Sequence, residues 1–240
     1  MTRFRSRIAS IALRTYLRSP RTRRGNLVVS GYPKSGTTWM TQLAAALTGM
    51  NYRQGDIRFR IRGVALHTHS TTFNGRDDIL YAVRDPRESI CSAARAQQAV
   101  AKPGVIDDTG RITDAFVHYA LKELPGARQP MRDHLQTCID RGWRFLRFED
   151  IKTDPQAALR RLADQFGWSV SDSDIAVAID AFEFGLQKAR NKGNVFFAQS
   201  ALASWTGLLS PTSLDLLEQA VGPQAQAFGY DLSDRPTMEI

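Results

Sequence analysis

The stretch "NLVVSGYPKSGTTW", residues 26–39, constrains the fold more than any other part of the chain. A valine-rich apolar run ends at a glycine, a short loop follows, and helix-forming residues begin directly after a second glycine. This order predicts a buried strand, a glycine-containing loop and a helix N-terminus. Backbone N–H groups and the helix dipole then favour an anion at that loop.

The loop has the glycine spacing of the phosphate-binding pattern G-x-x-x-x-G-K-[ST], but its lysine is displaced. Gly31 and Gly36 occupy the glycine positions and Thr38 the last one. Thr37 stands where the lysine belongs, and Lys34 lies three residues upstream. A nucleoside triphosphatase needs the usual lysine over its β- and γ-phosphates. The displaced cation therefore indicates a shorter anion.

The acid that would hold Mg²⁺ in a nucleoside triphosphatase is also missing from the pattern. Such an acid follows an apolar strand, whereas here Arg84 precedes Asp85 in "LYAVRDP" and would repel a metal ion. The sequence therefore predicts an anion site that requires no metal.

Apolar runs and helical periodicity alternate along the rest of the chain. Strands are predicted at 26–32, 63–69, 78–85 and 143–150. Helices are predicted at about 37–50, 86–99, 113–124, 130–141, 154–166, 173–181 and 212–221. We expect an α/β, P-loop-like three-layer fold with a mainly parallel central sheet of about five strands, flanked by helices. Ligands of such sheets bind at the carboxyl ends of the strands.

The net charge of +8 is concentrated at one end of the chain. Residues 1–24 contain eight arginines and no acid, which leaves 24 basic and 24 acidic residues in the remainder. We expect a basic N-terminal arm (1–25) and a single domain (26–240). The arm is either a solvated terminus or an amphipathic helix in peripheral contact with an anionic membrane. It has too few aromatic residues for base stacking, so no nucleic acid is expected.

The number of cysteines and the length of the apolar runs indicate where in the cell the protein is expected. The chain has two cysteines without a metal-binding spacing, which fits a reducing environment. No apolar run approaches the ~18–20 residues of a transmembrane helix. A cytoplasmic location is predicted, with peripheral membrane contact through the arm as the open alternative.

Two motifs resemble those of the sulfotransferase family that uses 3′-phosphoadenosine 5′-phosphosulfate (PAPS). They are "YPKSGTTW" (32–39) and, some 45 residues later, "RDPRESICS" (84–92). Residues 148–168, "NKGN" (191–194) and "GPQAQAFGYDL" (222–232) resemble later parts of that family. The resemblance implies an enzyme that moves a sulfuryl group from PAPS, its co-substrate, to a hydroxyl or amine acceptor.

The resemblance also implies the cofactor contacts. The first motif would cradle the 5′-phosphosulfate and stack on adenine, and an arginine and a serine eight residues apart would hold the 3′-phosphate. The implied contacts are Lys34, Ser35, Gly36, Thr37, Thr38, Trp39, Arg84, Ser92, Phe182, Phe184, Lys192 and Gly193. An ion pair of Arg84 with Asp85 or Glu88, and a role for Trp39 in helix packing, are the alternatives. Whether Phe182 or Phe184 covers the adenine is left open.

The resemblance implies two catalytic residues. Lys34 would neutralise the bridging oxygen of the leaving group, where the bond breaks. His69 matches the general base that the family carries after its next strand, and histidine has a suitable pKa. His67, which stands where the family often has lysine, is the other candidate for the base. His118 and His134 lie in predicted helices, where packing or surface roles are expected.

The acceptor is not specified by the sequence. A small phenol or alcohol, a carbohydrate and a lipid all remain open. A P-loop nucleotide or small-molecule kinase and a non-catalytic nucleotide-binding module are the alternatives to a sulfotransferase. A kinase would need ATP and Mg²⁺, whereas a binding module would not depend on His69.

Overall fold

The computed structural model describes residues 26–54, 63–73, 78–98, 104–181 and 205–235. Strands and helices alternate along these ranges. In chain order they are β1 (Leu27–Gly31), α1 (Thr37–Thr48), β2 (Asn51–Gln54), β3 (Val64–Thr68), β4 (Ile79–Val83), α2 (Pro86–Gln98), α3 (Asp114–Glu123), α4 (Met131–Asp140), β5 (Arg144–Arg147), α5 (Phe148–Thr153), α6 (Pro155–Phe166), α7 (Asp172–Ala181) and α8 (Pro211–Ala227).

The described strands form one five-stranded sheet in the order β2-β3-β1-β4-β5. Every pairing between them is parallel, with β1 at the centre between β3 and β4. The carboxyl ends of β3, β1 and β4 therefore lie side by side at one edge. This arrangement confirms the predicted α/β class, and it places Gly31, His69 and Arg84 at neighbouring strand ends.

Alternate residues of the strands pack into two cores, one on each face of the sheet. On one face Val28 and Tyr81 pack with helices α2, α3, α4 and α8. On the other face Val29 and Leu80 pack with α1, α5, α6 and α7. Because both faces are covered, the central strands read as continuous apolar runs rather than alternating ones.

The structure corrects two predicted boundaries and adds one strand. The run 143–150 forms a strand only over Arg144–Arg147, and a helix begins at Phe148. Helix α8 continues past Pro223 to Ala227, because buried residues on both sides of the proline hold it against the core. Strand β2 was missed because its four residues, "NYRQ", carry no apolar run of their own. None of the described helices is long and apolar enough to cross a bilayer.

Candidate active site

Two glycines shape the loop between β1 and α1. A Cβ atom at Gly31 would lie 2.5 Å from the carbonyl oxygen of Ala82 and 2.7 Å from Ser35 Oγ. Gly36 has a φ of +83°, and a Cβ atom there would lie 2.4 Å from Cδ2 of Phe148. Neither position has room for a side chain, and glycine adopts the second conformation without strain. The glycine spacing seen in the sequence is thus required by the loop itself.

The interior of the loop is held by Ser35. Its N–H and its hydroxyl both donate to the carbonyl oxygen of Tyr32, over 3.1 and 2.6 Å. The Thr37 side chain is buried 3.4 Å from Ser35 Oγ, and Thr38 is half-buried. Ser35 closes the turn in this conformation, and its contact with a phosphate stays a prediction.

The N-terminus of α1 is open to an anion. Its N-cap is Gly36, so no side chain accepts from the N–H groups of the first turn at the cap. That first turn contains no acidic residue either. The first-turn N–H groups and the positive end of the helix dipole therefore favour a negatively charged ligand, as the sequence predicts.

Lys34 lies in the middle of the loop in an unusual backbone conformation. Its φ is +75°, and no other non-glycine residue in the described ranges has a positive φ. Burial lowers the pKa of its ammonium group from 10.5 to about 8, and the positive charge of Arg84 acts in the same direction. The lysine is still protonated near neutral pH, but it loses its proton far more easily than a surface lysine.

Arg84 is buried at the end of β4, with 6% of its surface exposed. Its Nη2 donates to Glu88 Oε2 over 3.2 Å, and its Nη1 lies 3.4 Å from the carbonyl oxygen of Lys34. The guanidinium stacks 4.3 Å from the ring centre of Phe148. Its Nε is buried with no hydrogen-bond partner among the described residues. A buried donor of this kind is costly unless a ligand satisfies it.

Arg84 also forms the ion pair with Glu88 that the sequence analysis named as an alternative, because Glu88 lies four residues further along the chain on α2. Ser92 lies one further turn along α2 and is half-buried. Arg84 precedes α2, and Ser92 lies near the middle of that helix. Contact of either residue with a 3′-phosphate stays a prediction.

His69 lies just beyond β3, against Gly31, the first residue of the loop 31–36 that contains Lys34 and is called the lysine loop below. Its Nδ1 is 2.7 Å from the carbonyl oxygen of Gly31. A carbonyl only accepts, so Nδ1 carries the hydrogen and the neutral ring keeps its lone pair on Nε2. Burial lowers the pKa of His69, the bond to Gly31 opposes this, and the charges of Lys34 and Arg128 add to the lowering. The ring is therefore a neutral proton acceptor near pH 7.

His67, the other candidate for the base, lies beside His69. The two ring centres are 4.8 Å apart and the planes are nearly perpendicular. Burial lowers the pKa of His67 to about 3, and the neighbouring His69 contributes in the same direction. His69 is the better candidate because its tautomer is fixed by the lysine loop.

Trp39 is largely buried in α1, with 7% of its surface exposed. Its ring meets that of Phe148 edge to face, with centres 5.6 Å apart. Helix packing, the alternative to adenine stacking, accounts for most of its surface. Only a small part of its surface is left for a ligand.

Three residues that support the site were not among the predicted site residues. Phe148 touches Gly36, Trp39 and Arg84 together. Glu149 accepts from the N–H of Asp85 over 3.1 Å and from the hydroxyl of Tyr230 over 2.5 Å.

Burial raises the pKa of Glu149. The acidic pair in "RFED" and the tyrosine in "FGYDL" were visible in the sequence. Their mutual contact, across 81 residues, was not.

Four predicted cofactor residues and the arm lie outside the described residues. These are Phe182, Phe184, Lys192 and Gly193, together with residues 1–25. Their roles stay predictions. Within the described ranges, no group of three or more His, Cys, Asp or Glu side chains is arranged to hold a metal ion.

Comparisons with known proteins agree with the motifs. No family model matches the chain. A curated relative, Sulfotransferase 2A2 of Rattus norvegicus, is 21% identical to it over 85% of this chain and 81% of the relative.

Two solved structures share the fold. Mouse sulfotransferase SULT7A1 complexed with PAP superposes with a TM-score of 0.64 at 18% identity, covering 84% of each chain. Retinol dehydratase in complex with androsterone and the inactive cofactor PAP superposes with a TM-score of 0.59 at 16% identity, covering 89% of this chain and 83% of the other. The chain is thus similar in sequence to a curated sulfotransferase, and it shares the fold of the two solved structures.

Proposed function

We propose that this enzyme transfers the sulfuryl group of PAPS to a hydroxyl or amine acceptor by in-line displacement. One observation carries the proposal: the ring of His69 is hydrogen-bonded to Gly31, the residue that opens the lysine loop. This bond places a proton acceptor next to the loop that would hold the leaving phosphate. A base beside an anion site is what transfer to a protonated acceptor requires.

The bond changes in the proposed reaction are balanced. The acceptor oxygen or nitrogen attacks sulfur while the bond between sulfur and the bridging oxygen of the 5′-phosphate breaks. The electron pair of that bond stays on the bridging oxygen, and the acceptor proton moves to Nε2 of His69. The products are the sulfated acceptor and adenosine 3′,5′-bisphosphate (PAP).

Lys34 would stabilise the charge that develops on the bridging oxygen. Its half-buried position strengthens this electrostatic effect compared with water. Thr37, Thr38 and the N–H groups that begin at Gly36 would bind the 5′-phosphate at the helix N-terminus. Because the lysine supplies the charge locally, we expect transfer without a metal ion.

Arg84 and Ser92 would bind the 3′-phosphate. The buried, unsatisfied Nε of Arg84 favours this assignment, because a phosphate oxygen would satisfy it. Trp39, with Phe182 or Phe184, would border the adenine, and Lys192 and Gly193 would close over the 3′-phosphate.

A small molecule that bears a hydroxyl group is the acceptor class we propose. Retinol dehydratase, which shares the fold, has been solved in complex with androsterone and in complex with retinol, both small alcohols. We further propose that residues 26–240 form one cytoplasmic catalytic domain. Residues 1–25 would then form a basic arm for peripheral contact with anionic membrane.

Thermal melting with nucleotides tests the proposed function without knowledge of the acceptor. PAP at about a hundred times its Kd should add roughly 2.7 kcal/mol to the free energy of unfolding. For a chain of this size the Tm should rise by roughly 5–10 °C, without Mg²⁺. Adenosine 5′-monophosphate, which lacks the 3′-phosphate, should give a much smaller rise.

Three outcomes would contradict this assignment. A larger rise with ATP and Mg²⁺ than with PAP would favour the kinase alternative. No rise with any adenine nucleotide would exclude a cofactor role for the loop. A rise with PAP but no sulfuryl transfer to any hydroxyl compound would favour a non-catalytic binding module.

A further inference from the structure

A third histidine, besides His67 and His69, lies behind His69 and is completely buried. His134 in α4 has 0% of its surface exposed. Its Nε2 is 3.1 Å from the main-chain carbonyl oxygen of His69, and its Nδ1 is 2.6 Å from the hydroxyl of Tyr81. The two distances describe a chain of hydrogen bonds that runs from β4 through α4 to the segment after β3.

The direction of these hydrogen bonds follows from their chemistry. The carbonyl of His69 only accepts, so His134 carries its hydrogen on Nε2. The neutral ring then has a lone pair on Nδ1, which accepts the hydroxyl hydrogen of Tyr81. Burial lowers the pKa of His134 to about 4, so the ring is neutral and this tautomer is available near pH 7.

His69 is therefore held at two places by two different parts of the chain. Gly31 of β1 binds its ring, and His134 of α4 binds its main chain. His69 lies beyond the last residue of β3, so the sheet ladder does not fix it. The next residue is anchored too, because Ser30 of β1 donates to the carbonyl oxygen of Ser70 over 2.7 Å. The bond from His134 is the one that holds the main chain of His69 itself.

We propose that the Tyr81–His134 pair is a positioning device that holds His69 in the orientation needed for proton abstraction. The inference rests on the proposed function, because it assigns a role in that reaction. His134 does not touch the reacting atoms. It acts through the carbonyl of His69, while Tyr81 selects the tautomer that can donate to that carbonyl.

Space filling alone does not explain a histidine at this position. A buried polar ring is stable only when both of its nitrogens are satisfied, and a leucine would fill similar space without that demand. Tyr32 packs edge to face on the ring, with centres 5.6 Å apart, but donates its own hydroxyl to Ala120. The Tyr32 hydroxyl therefore binds elsewhere, although its ring touches that of His134.

Two substitutions of similar size separate the two nitrogens of His134. The amide of glutamine reaches about as far as Nε2, so His134→Gln keeps a donor for the carbonyl of His69. The amide of asparagine reaches about as far as Nδ1, so His134→Asn keeps a partner for Tyr81 and loses that donor. Tyr81→Phe leaves the histidine in place and removes only the group that selects its tautomer.

The primary measurement is the tautomer of His69, read from ¹⁵N-histidine NMR of the full chain. The chain has only four histidines, so the spectra are simple to assign by substitution. We expect the Nδ1–H form in the wild type and in His134→Gln, and a mixture of both forms in His134→Asn. The Kd for PAP should stay within about twofold in all of them.

Turnover gives the second measurement, with PAPS and either 2-naphthol or androsterone as the acceptor. We expect kcat to fall about 10- to 100-fold in His134→Asn, since small misplacements of a catalytic group have effects of this size. Tyr81→Phe should lower it less, and His134→Gln should restore most of it. In a His69→Ala background, His134→Asn should cause no further loss, because the two residues act as one unit.

Ser213→Ala is the control, since it removes one buried hydroxyl of α8, which donates to Asp114, and leaves the site and His134 untouched. It should lower the Tm but leave the tautomer of His69 and kcat unchanged. An unchanged tautomer in both His134→Asn and Tyr81→Phe would overturn the proposal, as would equal losses in the Gln and Asn variants. If the wild type neither binds PAP nor transfers a sulfuryl group, the proposed function fails, while the tautomer comparison still decides the positioning role.

Discussion

Lys34 and Arg84 are two cations at neighbouring strand ends, and their surroundings differ. Arg84 has a carboxylate on one side and an aromatic ring on the other, so its charge is compensated within the fold. Lys34 lies in a strained backbone conformation, and burial lowers its pKa to about 8. Burial lowers the pKa of Arg84 too, but the charges of Glu88 and Glu149 oppose that change. For Lys34 the charge of Arg84 adds to the lowering.

This difference fits the two roles proposed above, phosphate binding for Arg84 and charge stabilisation for Lys34. A guanidinium that is always charged and held in place suits recognition of a fixed phosphate. A lysine with a lowered pKa is more responsive to charge that appears during a reaction. Strain at functional residues persists only when surrounding structure enforces it, and the short glycine loop does so here.

Removal of the lysine should have the largest effect. Lys34→Ala should lower kcat by about 100-fold or more, because one preorganised charge-stabilising donor is lost. The Kd for PAP should change less, because the helix N-terminus still binds the 5′-phosphate. Steady-state kinetics with PAPS and calorimetry with PAP measure the two quantities. Lys122→Ala, on the exposed face of α3, is the control, and turnover within about threefold of wild type in Lys34→Ala would refute the assigned role.

Removal of the arginine should affect binding rather than turnover. Arg84→Ala should weaken PAP about 10- to 100-fold, since hydrogen bonds to charged groups contribute about 1.5–3 kcal/mol. Adenosine 5′-monophosphate has no 3′-phosphate, so its affinity should hardly change. Calorimetry with both ligands checks this, with Arg132→Ala on the surface of α4 as the control. Equal losses for the two ligands would remove Arg84 from the 3′-phosphate site.

The smallest effect should be a pH dependence of kcat/KM that is caused by Lys34. Lys34 carries its charge below a pKa of about 8, so kcat/KM should fall as the pH rises through that value. The folded pKa lies below the 10.5 of the unfolded chain, so Lys34 makes the unbound protein more stable as pH rises from about 8 to 10.5.

In the pH profile of kcat, the fall at high pH should move to a higher pH, because a bound phosphate stabilises the charged form of Lys34. Rate profiles at saturating and at low PAPS measure both limbs. If the fall occurs at the same pH in both profiles, or is still present in Lys34→Arg, the titrating group is not Lys34.

The sequence was most informative where a pattern is local. The apolar run, the two glycines and the helix that follows predicted β1, the loop and α1, since each depends on neighbouring residues. Asp154 likewise caps α6 as its position before a proline suggests, accepting from the N–H of Ala157 over 3.0 Å. The alternation of strands and helices was enough to place the candidate site at one edge of the sheet.

The residues that support the site could not be predicted in the same way. Phe148 continues an apolar strand pattern, yet it begins a helix because its ring fills the space between Gly36 and Arg84. His134 was predicted as a packing or surface residue. It is buried, but its two partners lie 53 and 65 residues away, and no local pattern reveals them.

These long separations in sequence have a consequence for folding during synthesis. The bond from His69 to Gly31 closes a loop of 38 residues, and the bond from His134 to His69 closes one of 65. Loop closure of this kind precedes any gain from the contact, so long-range contacts tend to form late in folding. A nascent chain that ends before α4 already contains the lysine, the arginine and the candidate base. We expect such a chain to be inert, because α4, which orients the base, has not yet been synthesised.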